Sequence, residues 1–386
     1  MLKNKSLINK SLTKGVIAIS LTASLPVLAV PSLLDYSEAS SAYSDAYVTG
    51  HFNAANGNQE RANYDMDLTL DYEKVVSSPS RNIKYDFTGA GTKSRSSTKG
   101  EESNTTYQVS GSATMDKYFR VGSNGGFWYG KGEVGAKKGQ IKSFTKLTAG
   151  LGYGRVVNVT PMARAIRVVE ALRQNGSLAA DPANETYQIV AGIIAKEAEY
   201  RSKYGSKQYV QHWVADIETA LSKPIGARGA IKANDVLSNE SISTRKHGWL
   251  VRAGIGAVLS DYDGETGKPA LEVGAEYHRP ISNQTQFSNE AILTTTLKDG
   301  DSSYNVKNNM SLTHEITDVI DWENKWVVDY SKADNADAST NHTVTSAFNY
   351  ELSNQLDYNI TATLVKTEGK DDIDQKLSMG IKYRLK

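Results

Sequence analysis

The chain has 386 residues, which at roughly 100–200 residues per domain allows one large domain or a few small ones. Lys plus Arg (44) nearly equals Asp plus Glu (43), so its charge does not point to nucleic acid as a partner. The absence of cysteine excludes disulfides, thiolate metal sites and cysteine nucleophiles. Abundant Tyr (21) and Gly (31) with only 8 Pro favour strands and turns over helix bundles.

The amino-terminal segment has the pattern of a secretory signal peptide. Four lysines (Lys3, Lys5, Lys10 and Lys14) precede an almost uncharged stretch over 15–34. Small residues that suit cleavage occur at Val27/Ala29, Ser37/Ala39 and Ser40/Ala42, and we predict a signal peptide over 1–42. The alternative is a membrane anchor, but Ser, Thr and two prolines dilute the apolar run.

Past residue 45 the chain falls into long segments in which apolar and polar side chains alternate, as a half-buried strand requires. One segment places Tyr64, Met66, Leu68, Leu70 and Tyr72 on one face and Asp65, Asp67, Thr69, Asp71 and Glu73 on the other. We predict about fourteen strands, within a range of 12–16, near 46–55, 63–75, 80–90, 104–116, 125–136, 140–156, 246–260, 269–280, 284–298, 303–316, 320–331, 341–353, 355–367 and 373–386.

Between 157 and 245 the hydrophobic period changes from 2 to 3.6, which predicts a helical insertion of three or four helices. The first helix is expected to start with Thr160 as N-cap and Pro161 after it, and to end near Gly176. The second is predicted from Asp181-Pro182 to about Lys203, and the third over 206–222. The stretch 225–240 is ambiguous and is compatible with a fourth short helix.

These features together resemble those of bacterial outer-membrane β-barrel proteins: a signal peptide, long alternating strands, aromatic-rich strand ends and a terminal strand. The resemblance is to the class and covers about 46–156 and 246–386. It implies an all-β transmembrane antiparallel barrel in the Gram-negative outer membrane, in contact with lipid and inserted by the outer-membrane insertion machinery. One departure is the final residue, Lys386, where an aromatic residue is common.

A secreted soluble β-protein with an apolar core is the alternative fold. Fourteen closed strands would leave a lumen that must be wet, and the acidic face of the second strand suits such a lumen. We therefore favour the membrane barrel, with four parts: the signal peptide (1–42), a first barrel part (43–156), the helical insertion (157–245) and a second barrel part (246–386). If the amino terminus lies in the periplasm, every even-numbered strand ends on the periplasmic side. The insertion follows the sixth strand, so we expect it in the periplasm.

Two groups of charged residues are predicted to be functional. The lumen-lining group comprises Asp65, Asp67, Asp71, Glu73, Lys142, Lys146, Arg252, Glu272, Glu276, Lys382 and Arg384. The second group gives the helices a basic outer surface suited to a periplasmic protein or an acidic polymer, and comprises Arg164, Arg167, Arg173, Lys196, Arg201, Lys203 and Lys207.

The sequence contains no recognisable catalytic or cofactor motif. His278 shares a strand face with Glu272 and Glu276, but a solvated lumen patch is the simpler interpretation, so we predict no metal and no cofactor. His342 and Ser346 share a strand face but lie about 13 Å apart, too far for a nucleophile–base pair. The glycines of 150–154 suggest close backbone packing on the lumen face rather than a nucleotide site.

Two functions of different classes follow. The first is a channel that passes small hydrophilic solutes or an exported polymer, with the helical insertion as a periplasmic docking or gating module. The alternative is a structural or assembly barrel whose insertion binds a periplasmic partner without transport. A passive structural insertion is also compatible with the pattern. An enzyme is not expected.

Overall fold

The computed structural model describes residues 31–37, 40–58, 60–240, 242–297, 302–332, 337–353 and 355–385. Within these ranges the chain forms fourteen antiparallel strands closed into a barrel, with four α-helices between the sixth and seventh strands. This confirms the predicted fold class. Within the same ranges, no helix has both the length and the apolar character needed to cross a membrane.

The strands are long and follow one another around the barrel. They are β1 (Ser41–Ala55), β2 (Asn63–Ser78), β3 (Arg81–Arg95), β4 (Asn104–Tyr118), β5 (Gly126–Lys137), β6 (Phe144–Asn158), β7 (Lys246–Ser260), β8 (Lys268–Pro280), β9 (Thr285–Thr296), β10 (Ser303–Thr317), β11 (Ile320–Lys332), β12 (Ser339–Ser353), β13 (Leu356–Thr367) and β14 (Asp374–Arg384). Each strand pairs with its sequence neighbours, and β14 pairs with β1, where Arg384 lies opposite Tyr47.

The two ends of the barrel differ in their connections. At one end lie the short turns 79–80, 281–284, 318–319 and 354–355, the longer β4–β5 connection (119–125) and the helical insertion. The other end carries the connections 56–62, 96–103, 138–143, 261–267, 297–302, 333–338 and 368–373. The connection between β5 and β6 covers 138–143, longer than the gap between the predicted strands 125–136 and 140–156. We call the end with the insertion the short-turn end.

The helical insertion comprises α1 (Thr160–Gln174), α2 (Asn184–Ile194), α3 (Glu197–Leu221) and α4 (Gly226–Asn239). The stretch 225–240, for which the sequence pattern is ambiguous, is therefore a helix. The second helix, α2, ends at Ile194 rather than near Lys203. The helical angles of α3 are interrupted at Gly205, which has a φ of 74°. Gly176, just beyond α1, has a φ of 77°, the left-handed conformation expected there.

The four helices enclose a hydrophobic core of their own. Met162, Ile166 and Leu172 of α1 are buried with Trp213 of α3 and Val236 of α4. Val159 precedes α1 as its N-cap without a side-chain hydrogen bond, so Thr160 is the first helical residue rather than the cap. Thr160 instead hydrogen-bonds the backbone of Arg245, which joins the start of the insertion to its end.

The segment before β1 packs onto the insertion. A single 3₁₀ turn, Leu33–Asp35, is closed by a capping box with Ser32. Leu33 and Tyr36 are buried in the core of the helices, and Asp35 accepts a hydrogen bond from the Asn184 side chain at 3.2 Å. The predicted signal peptide lies largely outside the described residues, but its carboxy-terminal part, 31–42, includes this segment and the first two residues of β1.

Candidate functional site

The outer face of the barrel is apolar and exposed. Leu151 (63 % exposed), Ile255 (71 %) and Leu377 (68 %) all lie on it, opposite the charged face of their strands. Near the short-turn end, aromatic pairs lie side by side on neighbouring strands, including Tyr153 with Trp249 at 6.0 Å between ring centroids and Trp322 with Phe348 at 5.8 Å. An apolar band bordered by aromatic rings is the surface that a lipid bilayer covers.

One side of the lumen, on β4–β8, is filled with side chains. Tyr118, Phe127, Tyr129 and Leu250 point inward and are buried, and the rings of Tyr118 and Phe127 lie 5.3 Å apart. We call this group and the glycines that face it the packed sector. The glycines leave room for the rings: a Cβ at Gly152 would lie 2.2 Å from the Phe127 ring. A Cβ at Gly150 would lie 2.6 Å from the Tyr129 ring, which confirms the close packing predicted for 150–154.

Ion pairs complete the packed sector. Glu272 of β8 bonds Lys146 of β6 at 2.6 Å and Lys131 of β5 at 3.3 Å, and Glu133 bonds the same two lysines at 2.9 and 3.0 Å. Arg252 of β7 reaches Asp116 of β4 at 3.4 Å. The bonds of Glu272 and Arg252 skip one or two intervening strands, so they cross the interior of the barrel, whereas Glu133 bonds Lys131 on its own strand and Lys146 on the neighbouring one. Each of these buried charges therefore has a partner of opposite sign.

The other side of the lumen holds a polar cavity of about 280 Å³ at the short-turn end. We call it the open sector. Its walls come from β1 and β7–β14, and it ends against Ser243 and Thr244 of the insertion. Among its lining residues, six carboxylates (Asp45, Glu290, Asp321, Glu323, Glu351 and Asp357) face three cations (Lys246, Lys382 and Arg384). The cavity is therefore predominantly acidic.

The structure places ten of the eleven residues predicted to line the lumen on the strand faces that carry the interior ion pairs and cavity. Glu73 bonds Lys246 of β7 at 3.0 Å across the interior and Lys84 of β3 at 3.0 Å. Asp65 and Asp71 share its face of β2, as does Asp67, which bonds Lys376 of β14 at 3.0 Å. Lys382 and Arg384 contact Tyr47 rather than β2, with the Arg384 guanidinium donating to the Tyr47 hydroxyl at 2.9 Å. Glu276 bonds Arg252 at 3.2 Å.

Lys142 is the exception among the predicted lumen residues. It lies in the exposed connection 138–143, two residues before β6, and is not on a strand face. The predicted strand begins at residue 140 and includes Lys142, because Lys142, Phe144 and Lys146 occupy alternate positions of one pattern. Periodicity alone does not show where a strand begins.

A buried carboxylate joins the insertion to the barrel. Glu315, near the end of β10, bonds the guanidinium groups of Arg167 and Arg245 and accepts a hydrogen bond from the Ser243 backbone at 3.0 Å. Arg245 is fully buried and also donates to the backbone oxygen of Asn283 in the β8–β9 turn at 3.2 Å. We call Glu315 with these two arginines the Glu315 clasp. Thr244 donates to Asp45 of β1 at 3.0 Å.

The clasp corrects one sequence prediction. Arg164 and Arg167 do not belong to the outer basic surface of the insertion. Arg167 enters the clasp, and Arg164 lies within electrostatic reach of Asp45 and Arg384 at the barrel end. The reason is that α1 is buried on most of its circumference, so its two arginines occupy the side that faces the barrel charges.

The other basic residues of the insertion lie at its surface. Arg173 pairs with Asp181, and Arg201 pairs with Glu197 at 2.8 Å and with the Tyr209 hydroxyl at 2.9 Å. Lys203 lies 4.9 Å from the Tyr204 ring, and Lys196 and Lys207 are both exposed. Behind the clasp, burial raises the pKa of the Glu240 carboxyl, and Arg167 at 3.8 Å opposes that rise.

Several lumen residues were missed from the sequence. Lys84, Asp116, Lys131 and Glu133 all sit at alternating positions of predicted strands, so the pattern could have identified them. Glu290 of β9 faces Glu276 of β8 only because the register places them opposite each other. Glu315 likewise gains its role from a contact 148 residues away along the chain. The strand pattern carries no information on these pairings.

The closed barrel, the apolar exterior and the charged lumen define the class of this protein. A closed barrel is one of the two architectures that satisfy every backbone hydrogen bond within lipid. The protein is an outer-membrane β-barrel protein of the Gram-negative type.

Comparisons with known proteins give a partial family match and distant structural similarity. A family described as "Protein of unknown function, DUF481" matches residues 238–352, from the end of α4 to β12. No curated protein matches the chain.

Among solved structures, the chain is similar to CdiB from Escherichia coli, at 8 % identity and a TM-score of 0.39, covering 88 % of this chain and 63 % of CdiB. It thus spans less than two thirds of that protein. An outer membrane channel from Pseudomonas putida F1 is 6 % identical with a TM-score of 0.34, covering 94 % of this chain and 100 % of the channel. OprB from Pseudomonas putida is 8 % identical with a TM-score of 0.33, covering 89 % and 93 %. Because these similarities are so low, the assignment of the protein to its class rests on the barrel itself.

Proposed function

We propose that the protein is an outer-membrane channel for small hydrophilic solutes, and that the helical insertion restricts the short-turn end of its lumen. The observation that carries this proposal is the polar cavity of about 280 Å³, whose end is formed by Ser243 and Thr244 of the insertion. Six carboxylates and three cations line this cavity, and a polar lumen lined by charged side chains suits the passage of hydrophilic solutes.

The Glu315 clasp would hold the insertion in the position that restricts the lumen. It holds the segment 243–245 across the cavity through two arginines and one backbone N–H group. Removing one partner of a buried ion pair costs about 3–5 kcal/mol because the other charge is left without compensation. Loss of the Glu315 charge should therefore release the segment while the barrel strands stay paired.

The excess of carboxylates in the open sector favours cations or neutral polar solutes over anions. By the usual topology of such barrels, the short turns and the insertion face the periplasm. Gating from the periplasmic side would then couple passage to conditions or proteins in that compartment.

Planar-bilayer conductance tests the proposal. We expect low conductance from the full protein, a severalfold increase on deletion of 158–244, and more frequent opening in Glu315→Gln. Glu185→Gln, on the exposed face of α2, is the matched control and should behave as the unmodified protein. Under a salt gradient, the sign of the reversal potential should indicate a preference for cations. Equal conductance in all four proteins would rule out the gate.

The second candidate function is a structural or assembly barrel whose insertion binds a periplasmic partner. Exposed apolar residues on the helices, Ile189 of α2 and Ile231 of α4, favour it together with the basic surface around Lys196 and Lys207. A cysteine placed at Lys196 or Arg173 should then crosslink to a periplasmic protein in cells, and one at Tyr304 in the barrel should not. Both candidate functions are non-enzymatic.

A further inference from the structure

His278 is almost fully buried although it lies on the lumen face of its strand. It points inward from β8 and is only 2 % exposed. Its Nδ1 atom is 2.9 Å from the Ser288 hydroxyl on β9, which fixes the orientation of the ring. Its Nε2 atom is buried and has no hydrogen-bond partner among the described residues. A buried imidazole nitrogen without a partner is costly unless something else occupies the position it faces.

Two carboxylates flank this nitrogen. Glu276 Oε2 lies 3.7 Å from His278 Nε2, and Glu290 Oε1 lies 3.8 Å from it. The register places Glu276 and Glu290 directly opposite each other on β8 and β9, an arrangement of like charges that is unfavourable unless cations compensate it. The other oxygen of Glu276, Oε1, is held by Arg252 at 3.2 Å, so Oε2 is aimed away from that pair.

We propose that Glu276, His278 and Glu290 bind a divalent transition-metal ion such as Zn²⁺. The three donor atoms lie within 4.8 Å of one another. Metal–ligand bonds of about 2.0–2.2 Å place neighbouring ligands roughly 3.4 Å apart, so a small side-chain movement would complete the site. One imidazole with two carboxylates is a ligand set that suits Zn²⁺ and leaves a fourth position for water.

The surroundings of the three side chains are those of a metal site. The Ser288 hydroxyl and the Arg252 guanidinium orient two of the ligands from outside the coordination sphere, as the outer partners of metal ligands usually do. The nearby Lys84 ammonium bonds Glu73 and Asp86 at 3.0 and 3.3 Å, and it also interacts electrostatically with Glu290 and Glu276. His278 and Glu290 line the open-sector cavity, which gives an ion an entry path and an open position.

The site goes beyond the proposed channel function, because it places an ion on the lumen wall rather than a solute in transit. Glu272 does not belong to it, although it shares the strand face of His278. Its carboxylate is taken by Lys131 and Lys146. The third ligand is instead Glu290 from the neighbouring strand.

Metal binding by the purified full-length protein, without a histidine tag, tests the proposal. Titration with Co²⁺ should give one saturable site per chain with visible absorption bands, and Zn²⁺ should displace the Co²⁺. His278→Ala should abolish the bands, and Glu290→Gln should weaken binding by at least tenfold. Ser288→Ala should weaken binding about 10–100-fold, because the ring loses its orienting partner.

His342→Ala and Glu323→Gln are the matched controls. His342 lies on the outer face against Trp326, and Glu323 lines the same cavity outside the site, so both variants should bind Co²⁺ as the unmodified protein does. If His278→Ala fails to fold, Glu290→Gln and Ser288→Ala decide the question. Absence of a saturable site, or binding unchanged in these site variants, would overturn the proposal. Because binding is measured in detergent without conductance, its outcome is independent of that of the channel proposal.

Discussion

The packed and open sectors of the lumen share one barrel and one alternating pattern, yet they are filled differently. In the packed sector, inward positions alternate between large rings on β5 (Phe127, Tyr129) and glycines on β6 (Gly150, Gly152), so neighbouring strands fit together like a protein core. In the open sector, the inward positions carry medium-sized polar side chains such as Ser311 and Thr313, and a cavity remains.

The difference shows that an inward position is not necessarily a wet position. Large rings that lie over glycines of the neighbouring strand leave no space for water, whereas smaller polar side chains leave a cavity. The packed sector narrows the lumen beside the open-sector cavity, whose wall includes His278 and Ser243, a residue that the Glu315 clasp holds. Four sets of substitutions test this division.

The largest effect is expected from Gly152→Ala in the packed sector. Its Cβ would lie 2.2 Å from the Phe127 ring and 2.7 Å from the Val251 backbone oxygen, and the backbone cannot yield within a closed sheet. We expect overpacking of more than about 3 kcal/mol and loss of the folded barrel, measured by heat-modifiable electrophoretic mobility. Gly130→Ala, on the outer face of β5 with no atom within 4 Å, should fold normally. If Gly152→Ala and Gly130→Ala both fold normally, the Phe127 ring is not held in one position.

Arginine substitutions distinguish the outer face, which both sectors share, from the lumen. Leu151→Arg and Met379→Arg place a charge in lipid behind the packed and the open sector, and each should cost about 2–4 kcal/mol near the bilayer midplane. Ser378→Arg, on the lumen face of β14, should be mild because water can reach it. The measurement is the free energy of unfolding in lipid vesicles. Similar costs at positions 378 and 379 would contradict the assignment of the two faces.

Filling the open sector should block the path without unfolding the protein. Ser311→Trp places an indole in the cavity, so we expect single-channel conductance of the insertion-deleted protein to fall by more than half. The barrel should remain folded because the cavity has room for most of the ring. Ala362→Trp, on the outer face of β13, is the control and should leave conductance unchanged. Unaltered conductance in Ser311→Trp would place the path elsewhere.

The smallest effect is expected from Tyr129→Phe. The Tyr129 hydroxyl is buried and makes no hydrogen bond to a described residue, so its removal should change the free energy of unfolding by less than about 1 kcal/mol. Tyr43→Phe, by contrast, removes a hydroxyl that donates to Glu73 at 2.6 Å and should cost about 1.5–3 kcal/mol. A larger loss from Tyr129→Phe than from Tyr43→Phe would show that hydrogen bonding, rather than ring packing, stabilises the packed sector.

For the predicted signal peptide, the sequence leaves several cleavage sites open, and the contacts of the segment before β1 bear on the choice. Cleavage at Ser37/Ala39 or Ser40/Ala42 would remove Leu33 and Tyr36, which pack into the helical core. We therefore expect the earlier candidate, after Val27-Leu28-Ala29, to be used, and amino-terminal sequencing of the mature protein would check it.

Much of the fold could be predicted because strands and helices leave local patterns. Strict alternation from Tyr64 to Glu73 fixes both the strand and its inward face, since side chains on a strand alternate between faces. The change of period after residue 157 likewise identifies the helices. Boundaries were less certain, as Lys142 shows, because alternation continues by chance beyond the end of a strand.

The barrel, its apolar outer side and the helical insertion can all be predicted from the sequence, because each depends on the spacing of neighbouring residues. The fit of Phe127 over Gly152 and the cavity beside Ser311 become visible only in the folded barrel. The tertiary structure also decides that Arg167 turns inward to Glu315 and that Glu290 joins Glu276 at His278. These contacts depend on register and closure, which bring together side chains that are distant along the chain, and the local pattern does not record them.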